Sequence, residues 1–397
     1  MLVSERINRI TVSPTMQVAA EAKRMRAEGI NVIDLSVGEP DFPTPHNIKE
    51  AAKKAIDENH TKYTINAGTI ELRKAIQAKL KRDNNLDYNL KEIIVSNGAK
   101  QSVFNTIMAS VNEGDEVIIP SPYWVSYPDM VSMANGISVF PSTSEKNGFK
   151  LTPGELEKTI TSKTKIFILC NPSNPTGSAY SKTELHELAE VIDDKKILVI
   201  ADEIYEKLVY DKFEFVSFPS TSKKMKEKTM LVNGVSKAYS MTGWRIGFTA
   251  GDEHIIEGIN KIQSHSTSNA SSVSQTAAIE ALAGPQYVIN EMLDEFKIRR
   301  DYMYDQLLSI PGITCYKPEG AFFLFPNVSA YFGKKTSVLK IEHSFDFAMH
   351  ILYEAKIAAV PGSAFGADGF LRLSYATSME NIKEAMIRFK QALSHLT

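Results

Sequence analysis

The stretch VSKAYSMTGWRIG, residues 235–247, decides the reading of this chain. It follows the apolar run TMLV and sets Lys237 among hydroxyl side chains, with Arg245 eight residues on. A lysine becomes a nucleophile or base only where burial or a neighbouring positive charge lowers its pKa. One such use is a Schiff base with an aldehyde cofactor, and an arginine fork nearby suits that cofactor's phosphate. Taken alone, the pair reads more simply as a solvated lysine and a structural arginine.

Working outward, the same arrangement of apolar run and loop recurs. EIIVSNGAKQ, EVIIPSPYW, KIFILCNPSNPTG, ILVIADEIY and TMLVNGVSK each read as a strand passing into a loop. Helical spacing follows the first of them at Phe104, Ile107, Met108 and Val111, and lies between two others at Leu185, Leu188, Ala189 and Ile192. Strands apolar along their whole length, alternating with helices, predict an α/β fold with a parallel or mixed sheet covered on both faces. Ligands of such sheets gather at the carboxyl ends of the strands. From about Glu291 the pattern changes to long charged helices, then the strand candidates GAFFLFP and FLRLSYA. A last helix carries Ile382, Ala385, Met386, Phe389 and Leu393 on one face.

The loops hold the candidate chemistry. Asp202 ends the apolar run ILVIA, where an unpaired carboxylate is costly unless it meets a cation such as a protonated pyridine nitrogen. Tyr205 can donate to a ring oxygen, Trp124 offers a flat face for stacking, and Asn174 is an amide in a Pro-rich turn. Gly98, Ala99 and Lys100 open a helix whose free N–H groups favour a phosphate, and Tyr63 can add a hydroxyl. Each has an ordinary structural reading too: Asp202 a helix cap, Trp124 and Tyr63 core, Asn174 a turn former, Gly98 a cap.

Composition narrows the field. The chain has 397 residues, 43% of them hydrophobic and 23% charged, and a formal charge of -2, which gives no basic footprint for nucleic acid or an anionic membrane. The amino terminus, MLVSERINRI, lacks the apolar core of a secretory signal, and no apolar run approaches the ~20 residues of a membrane span. Cys170 and Cys315 stand far apart without metal or redox spacing; they read as small core residues in a reducing cytoplasm. The usual phosphate-loop, dinucleotide and nucleophile-elbow signatures are absent. His186-Glu187 opens like a zinc-protease helix, but Glu190 occupies the second histidine position, so no metal site is expected.

The combination NPSNPTG, ADEIY, SKAYSMTGWRIG and LRLSYA resembles the fold type I aminotransferases that use pyridoxal 5'-phosphate, and GEPDFPTP, KYT, NGAKQ and SPYWVSYP fit the same family in the same order. The resemblance runs from about Ser13 to the last helix. Within the family it is nearest the bacterial aspartate aminotransferase subgroup that includes aspartate/prephenate enzymes. It implies a large cofactor domain with a mostly parallel sheet (46–290), a smaller α+β domain (291–397), and an amino-terminal segment (1–45) joining the latter. A cytoplasmic homodimer with shared active sites follows from it.

Carried over residue by residue, the resemblance makes Lys237 the Schiff-base lysine and Asp202 the pyridine-nitrogen partner. It sets Tyr205 and Asn174 at the ring oxygen, Trp124 on the ring face, and Arg245, Gly98, Ala99 and Lys100 around the phosphate. Tyr63 would reach in from the neighbouring subunit. Arg372 matches the arginine that grips the substrate α-carboxylate, and Gly38 a backbone contact to substrate. Ser13, Thr15 and Lys100 match the site for a distal carboxylate. The implied reaction passes the amino group of L-aspartate to 2-oxoglutarate in a ping-pong cycle. A broader aromatic, alanine or prephenate aminotransferase, or a β-lyase, is the alternative on the same fold. Prephenate-active relatives carry a lysine where this chain has Thr11, which argues against that substrate.

Overall fold

A computed structural model of the chain describes residues 3–10, 14–335 and 340–396. Its strands, in chain order, are β1 (Ile33–Asp34), β2 (Ile93–Ser96), β3 (Glu116–Ile118), β4 (Ile137–Val139), β5 (Thr164–Cys170), β6 (Leu198–Asp202), β7 (Thr229–Gly234), β8 (Gly247–Ala250), β9 (Phe323–Leu324), β10 (Ile357–Ala358), β11 (Val360–Pro361) and β12 (Leu371–Ser374). The central sheet has seven strands in the order β2-β8-β7-β6-β5-β3-β4. From β7 to β4 every pairing is parallel, whereas β8 runs antiparallel to both β2 and β7. The five strands expected from apolar runs all form. The two that were not expected, β4 (ISV) and β8 (GFTA), are interrupted by Ser138 and Thr249, so neither reads as an unbroken apolar run.

The uniform apolarity of β5, β6 and β7 has its cause in the layering. Phe167, Leu169, Val199, Ala201 and Leu231 join one core, while Ile166, Ile168, Ile200 and Val232 join another on the opposite face. Between β5 and β6 the helix Lys182–Ile192 buries Leu185, Leu188, Ala189 and Ile192, the face its spacing predicts. Ser181 caps it: the Glu184 N–H donates to Ser181 Oγ at 3.3 Å and the Ser181 N–H donates back to Glu184 Oε2 at 2.7 Å.

The helix Ala99–Ser110 departs from its expected face. Ile107 and Val111 are buried, but Phe104 and Met108 are only half-buried, and Ser102, Asn105 and Thr106 are buried instead. This helix is wedged between the sheet and the helix Glu253–Ser264, so it buries two sides. The second contact is polar, with Asn105 Nδ2 donating to Gln263 Oε1 at 3.4 Å.

Outside the central sheet, Val18, Ala22 and Met25 of the helix Pro14–Ala27 share one apolar cluster with Phe296, Phe322, Phe323 and Phe389. β1 pairs parallel with β10, and β12 lies between β11 and β9. The last helix, Met379–Ser394, buries Ile382, Ala385, Met386, Phe389 and Leu393 as its spacing predicts. The helix Tyr287–Leu308 runs straight through residue 290. Among the described residues, no helix is long and apolar enough to cross a membrane.

β8 meets the start of the helix Ala99–Ser110 at Gly247, where a Cβ would overlap backbone atoms of Gly98 and Ala99. Gly247→Val is expected to lower Tm by about 5 °C or more, because backbone cannot yield as a flexible side chain can. An unchanged melting curve would show that this approach is not tight.

Candidate active site

Because β5, β6 and β7 are parallel, the loops leaving them rise from one edge of the sheet. They enclose a cavity of about 620 Å³ lined by Lys100, Trp124, Asn174, Asp202, Tyr205, Lys237, Arg245 and Arg372, with Thr15, Gly38 and Ala99 also on its wall. The residues singled out from separate sequence motifs therefore converge. Gly98 sits one residue behind the wall as the cap of the helix Ala99–Ser110. Tyr63 stays apart: it is 92% exposed and does not line the cavity of its own chain. Ser13, and Thr11 with it, lies outside the described residues.

Asp202, the last residue of β6, forms the floor. Its Oδ2 accepts from Tyr127 Oη at 2.7 Å and its Oδ1 from the Ile204 N–H at 3.4 Å. Among the described residues no cation lies within ion-pair distance of it. Burial consequently pushes its carboxyl above the usual range, opposed by the Tyr127 hydrogen bond, the Ile204 amide and the charge of Lys237. Such a carboxylate is an unfilled demand for a positive partner.

Lys237, in the loop after β7, donates from Nζ to Gly38 O at 2.5 Å. Burial pushes its ammonium down to about 8, reinforced by the charges of Arg372 and Arg245 and opposed by Glu39 and Asp202. The sequence called for a lysine with a lowered pKa, and these are the groups that lower it.

Arg372, on β12, is 7% exposed. It donates from Nη1 to Asn174 Oδ1 at 3.0 Å and from Nη2 to Ser36 O at 2.6 Å, and its guanidinium lies 4.4 Å from the Phe323 ring centroid. Its Nε is buried without an acceptor. Burial pulls the guanidinium down to about 10, so it still carries its charge at neutral pH. A buried, aromatic-backed fork with an unmet donor fits a carboxylate. Tyr205 is buried beside it, edge-on to Phe322 at 5.5 Å, and its phenol is held protonated by burial.

The third corner is built for an anion. Gly98 has φ 86°, and a Cβ there would run into the Arg245 guanidinium. Arg245 itself takes the left-handed conformation (φ 56°), donating from Nη1 to Thr242 O at 2.8 Å and from Nη2 to Asn97 O at 3.4 Å. The first-turn N–H groups of Ala99 and Lys100 have no acceptor within the helix. Lys100 Nζ lies 4.9 Å from the Trp124 ring centroid, and burial followed by the Arg245 charge lowers its pKa. Two crowded cations and a helix terminus ask for a phosphate or a carboxylate.

Sequence reasoning missed Tyr127, whose ring is edge-on to Trp124 at 5.2 Å and whose hydroxyl holds Asp202. Its position three residues after Trp124, at the start of the helix Tyr127–Met133, was the available signal. Ser36, Glu39, Ser236 and Thr242 also line the cavity. Cys170, read as a core residue, lies on the cavity wall instead, because its strand position pairs it with Asp202.

The model of the family described as aminotransferase class I and II matches residues 30–389. The chain is 50% identical over 397 residues to the "Probable aspartate/prephenate aminotransferase" of Rickettsia bellii, covering 100% of both chains. It is 45% identical over 391 residues to the "Aspartate aminotransferase" of Bacillus subtilis, covering 98% of each. The crystal structure of the aspartate aminotransferase from Rhizobium meliloti superimposes with a TM-score of 0.97 at 44% identity, covering 100% of both chains. With its central sheet, its strand-end cavity and these full-length likenesses, the chain belongs to the class I and II aminotransferases.

Proposed function

We propose that this chain transfers the amino group of L-aspartate to 2-oxoglutarate with pyridoxal 5'-phosphate as cofactor. The observation that carries the reading is the pairing, across one cavity, of a lysine with lowered pKa and a buried carboxylate without a cation. The donor set fits the cofactor: Lys237 as covalent anchor, Asp202 for the ring nitrogen, Tyr205 and Asn174 for the ring oxygen, Trp124 for the ring face. Arg245, Gly98, Ala99 and Lys100 would hold the phosphate. The Rickettsia, Bacillus and Rhizobium relatives, all named as acting on aspartate, support the substrate.

When bound, pyridoxal 5'-phosphate supplies an aldehyde that takes up the amino group and a ring that accepts the electron pair left at Cα. Arg372 binds the α-carboxylate and turns the Cα–H bond towards Lys237. Lys237, largely neutral just above pH 8, takes the Cα proton and later returns it to the neighbouring carbon. Asp202 keeps a proton on the ring nitrogen, and Tyr127 keeps Asp202 in place. Thr15 and Lys100 bind the distal carboxylate, together with Ser13.

Further parts of the reading concern assembly. The exposed Tyr63, with Ile65 and Ile70 also exposed nearby, supports a homodimer in which the partner's Tyr63 completes the phosphate site. An apolar cluster that joins residues 18–35 to 292–396, and reaches Ile204, Tyr205, Leu208 and Tyr210 of the remainder, supports a small domain built from both chain ends and packed on a large domain of residues 46–290. The two free cysteines suit the cytoplasm. Prephenate as an acceptor is the second reading, favoured by the name of the Rickettsia bellii relative.

Oxo-acid formation from aspartate, alanine, phenylalanine and cystathionine, with 2-oxoglutarate or prephenate as acceptor, tests the assignment; aspartate with 2-oxoglutarate is expected to lead. Lys100→Ala is expected to raise the KM for aspartate by about 10-fold and to change that for alanine much less. Equal effects would remove Lys100 from the distal site. In cofactor-free protein, the rate at which an amine-reactive reagent labels Lys237 is expected to rise with pH around a midpoint near 8. A midpoint at the ordinary lysine value would contradict the proposed role as base.

A further inference from the structure

Behind the cavity floor lies a second set of charged groups that the reaction does not use. The turn leaving β6 sorts its side chains by side: Asp202 and Tyr205 line the cavity, whereas Glu203 and Glu206 point away from it into the protein. Glu206 forms a buried ion pair with Lys79 and accepts from Asn84 Nδ2 at 2.8 Å. Lys79 Nζ also donates to Asn84 Oδ1 at 2.7 Å. Glu203 Oε2 accepts from Ser217 Oγ at 2.6 Å and its Oε1 from the Phe218 N–H at 2.8 Å. One residue further along, Lys207 pairs with Asp83 at 2.9 Å.

Lys79, Asn84, Glu203 and Glu206 are all buried. Lys79, Asp83 and Asn84 lie on the last turns of the helix Ile70–Asn84, on the side of the sheet away from Trp124 and Tyr127. This helix therefore grips the turn at consecutive positions from behind. Such a grip is costly: desolvating a lysine and two carboxylates generally gains little stability over apolar packing. Burial, with the Glu206 charge, pushes the Glu203 carboxyl up, and Lys79 lies 4.0 Å from Asp83 as well as pairing with Glu206. A costly buried network is accounted for by the geometry that it enforces.

We propose that Lys79, Asn84 and Glu206 form a positioning network that, with Glu203 anchored separately on Ser217 and the Phe218 N–H, fixes the turn 202–206, and so sets Asp202 and Tyr205 against the cofactor. The network touches neither substrate nor cofactor and acts through those two residues. The inference rests on the cofactor reading above. The two fail separately, because the unaltered holoenzyme tests that reading and only the variants test the network.

The test uses the full-length protein loaded with pyridoxal 5'-phosphate and the double variant Lys79→Met with Glu206→Met, which removes both charges and strands neither. Its Tm is expected to fall by a few degrees, because the buried Asn84 amide loses both partners. Its kcat for aspartate is expected to fall about 10-fold with KM changed less than about twofold. The pH midpoint of the bound cofactor's visible absorption and its affinity for the cofactor-free protein are both expected to change. A double variant with the parent's kcat, absorption midpoint and cofactor affinity would overturn the proposal. Should that protein not fold, Asn84→Ala deletes the hydrogen bond from Lys79 and the one to Glu206 while leaving their ion pair. A loss of kcat by about threefold with KM unchanged is then expected, and an unchanged kcat and absorption midpoint would equally overturn it.

Discussion

A carboxylate at the end of a buried strand is the constraint on which the rest of this structure depends. Asp202 closes β6 on the cavity floor, and burial pushes its carboxyl up against the opposing hydrogen bonds from Tyr127 and the Ile204 amide and the charge of Lys237. Left so, it would destabilise the fold at neutral pH, where its charge carries the desolvation cost. In the proposed function a cationic ring nitrogen would remove that cost and be held protonated in return. The same contact would then stabilise the holoprotein and make the ring an electron sink.

The remaining site follows from separating charges across one cavity. Burial is the largest cause of the lowered Lys237 pKa, and the charges of Arg372 and Arg245 add to it. Each arginine is itself held by carbonyl or amide oxygens instead of a carboxylate. Both guanidinium groups thereby keep their charge for an incoming anion, and those same positive charges make the lysine a usable base. Binding and proton transfer are thus tied to the same residues.

Much of this was legible in the sequence, for identifiable reasons. Strands apolar on both faces announce a covered sheet, and β5, β6 and β7 proved to divide their side chains between two cores. Asp202 is conspicuous as a carboxylate that ends an apolar run, Asn174, Lys237 and Arg245 as polar groups in the loops after such runs, and Arg372 as a charge within a strand. Tyr127 was not, since nothing local says that a tyrosine at the start of a short helix will reach the end of β6. β8 was hidden because Gly247 and Thr249 break its apolar run, and its antiparallel course depends on pairings with β2 and β7. The half-buried Phe104 and Met108 show a simple helical period overridden by two-sided packing. The network around Glu206 was the least visible, because nothing in ADEIYEK links Glu206 to Lys79 and Asn84, more than a hundred residues earlier, until the chain folds.

The central claim concerns one proton, and the ring nitrogen reports on it directly. Pyridoxal 5'-phosphate labelled with nitrogen-15 in the ring, bound to the protein at neutral pH, is predicted to show the chemical shift of a protonated nitrogen, and to lose it in Asp202→Asn. An unprotonated shift in the unaltered protein would contradict the account.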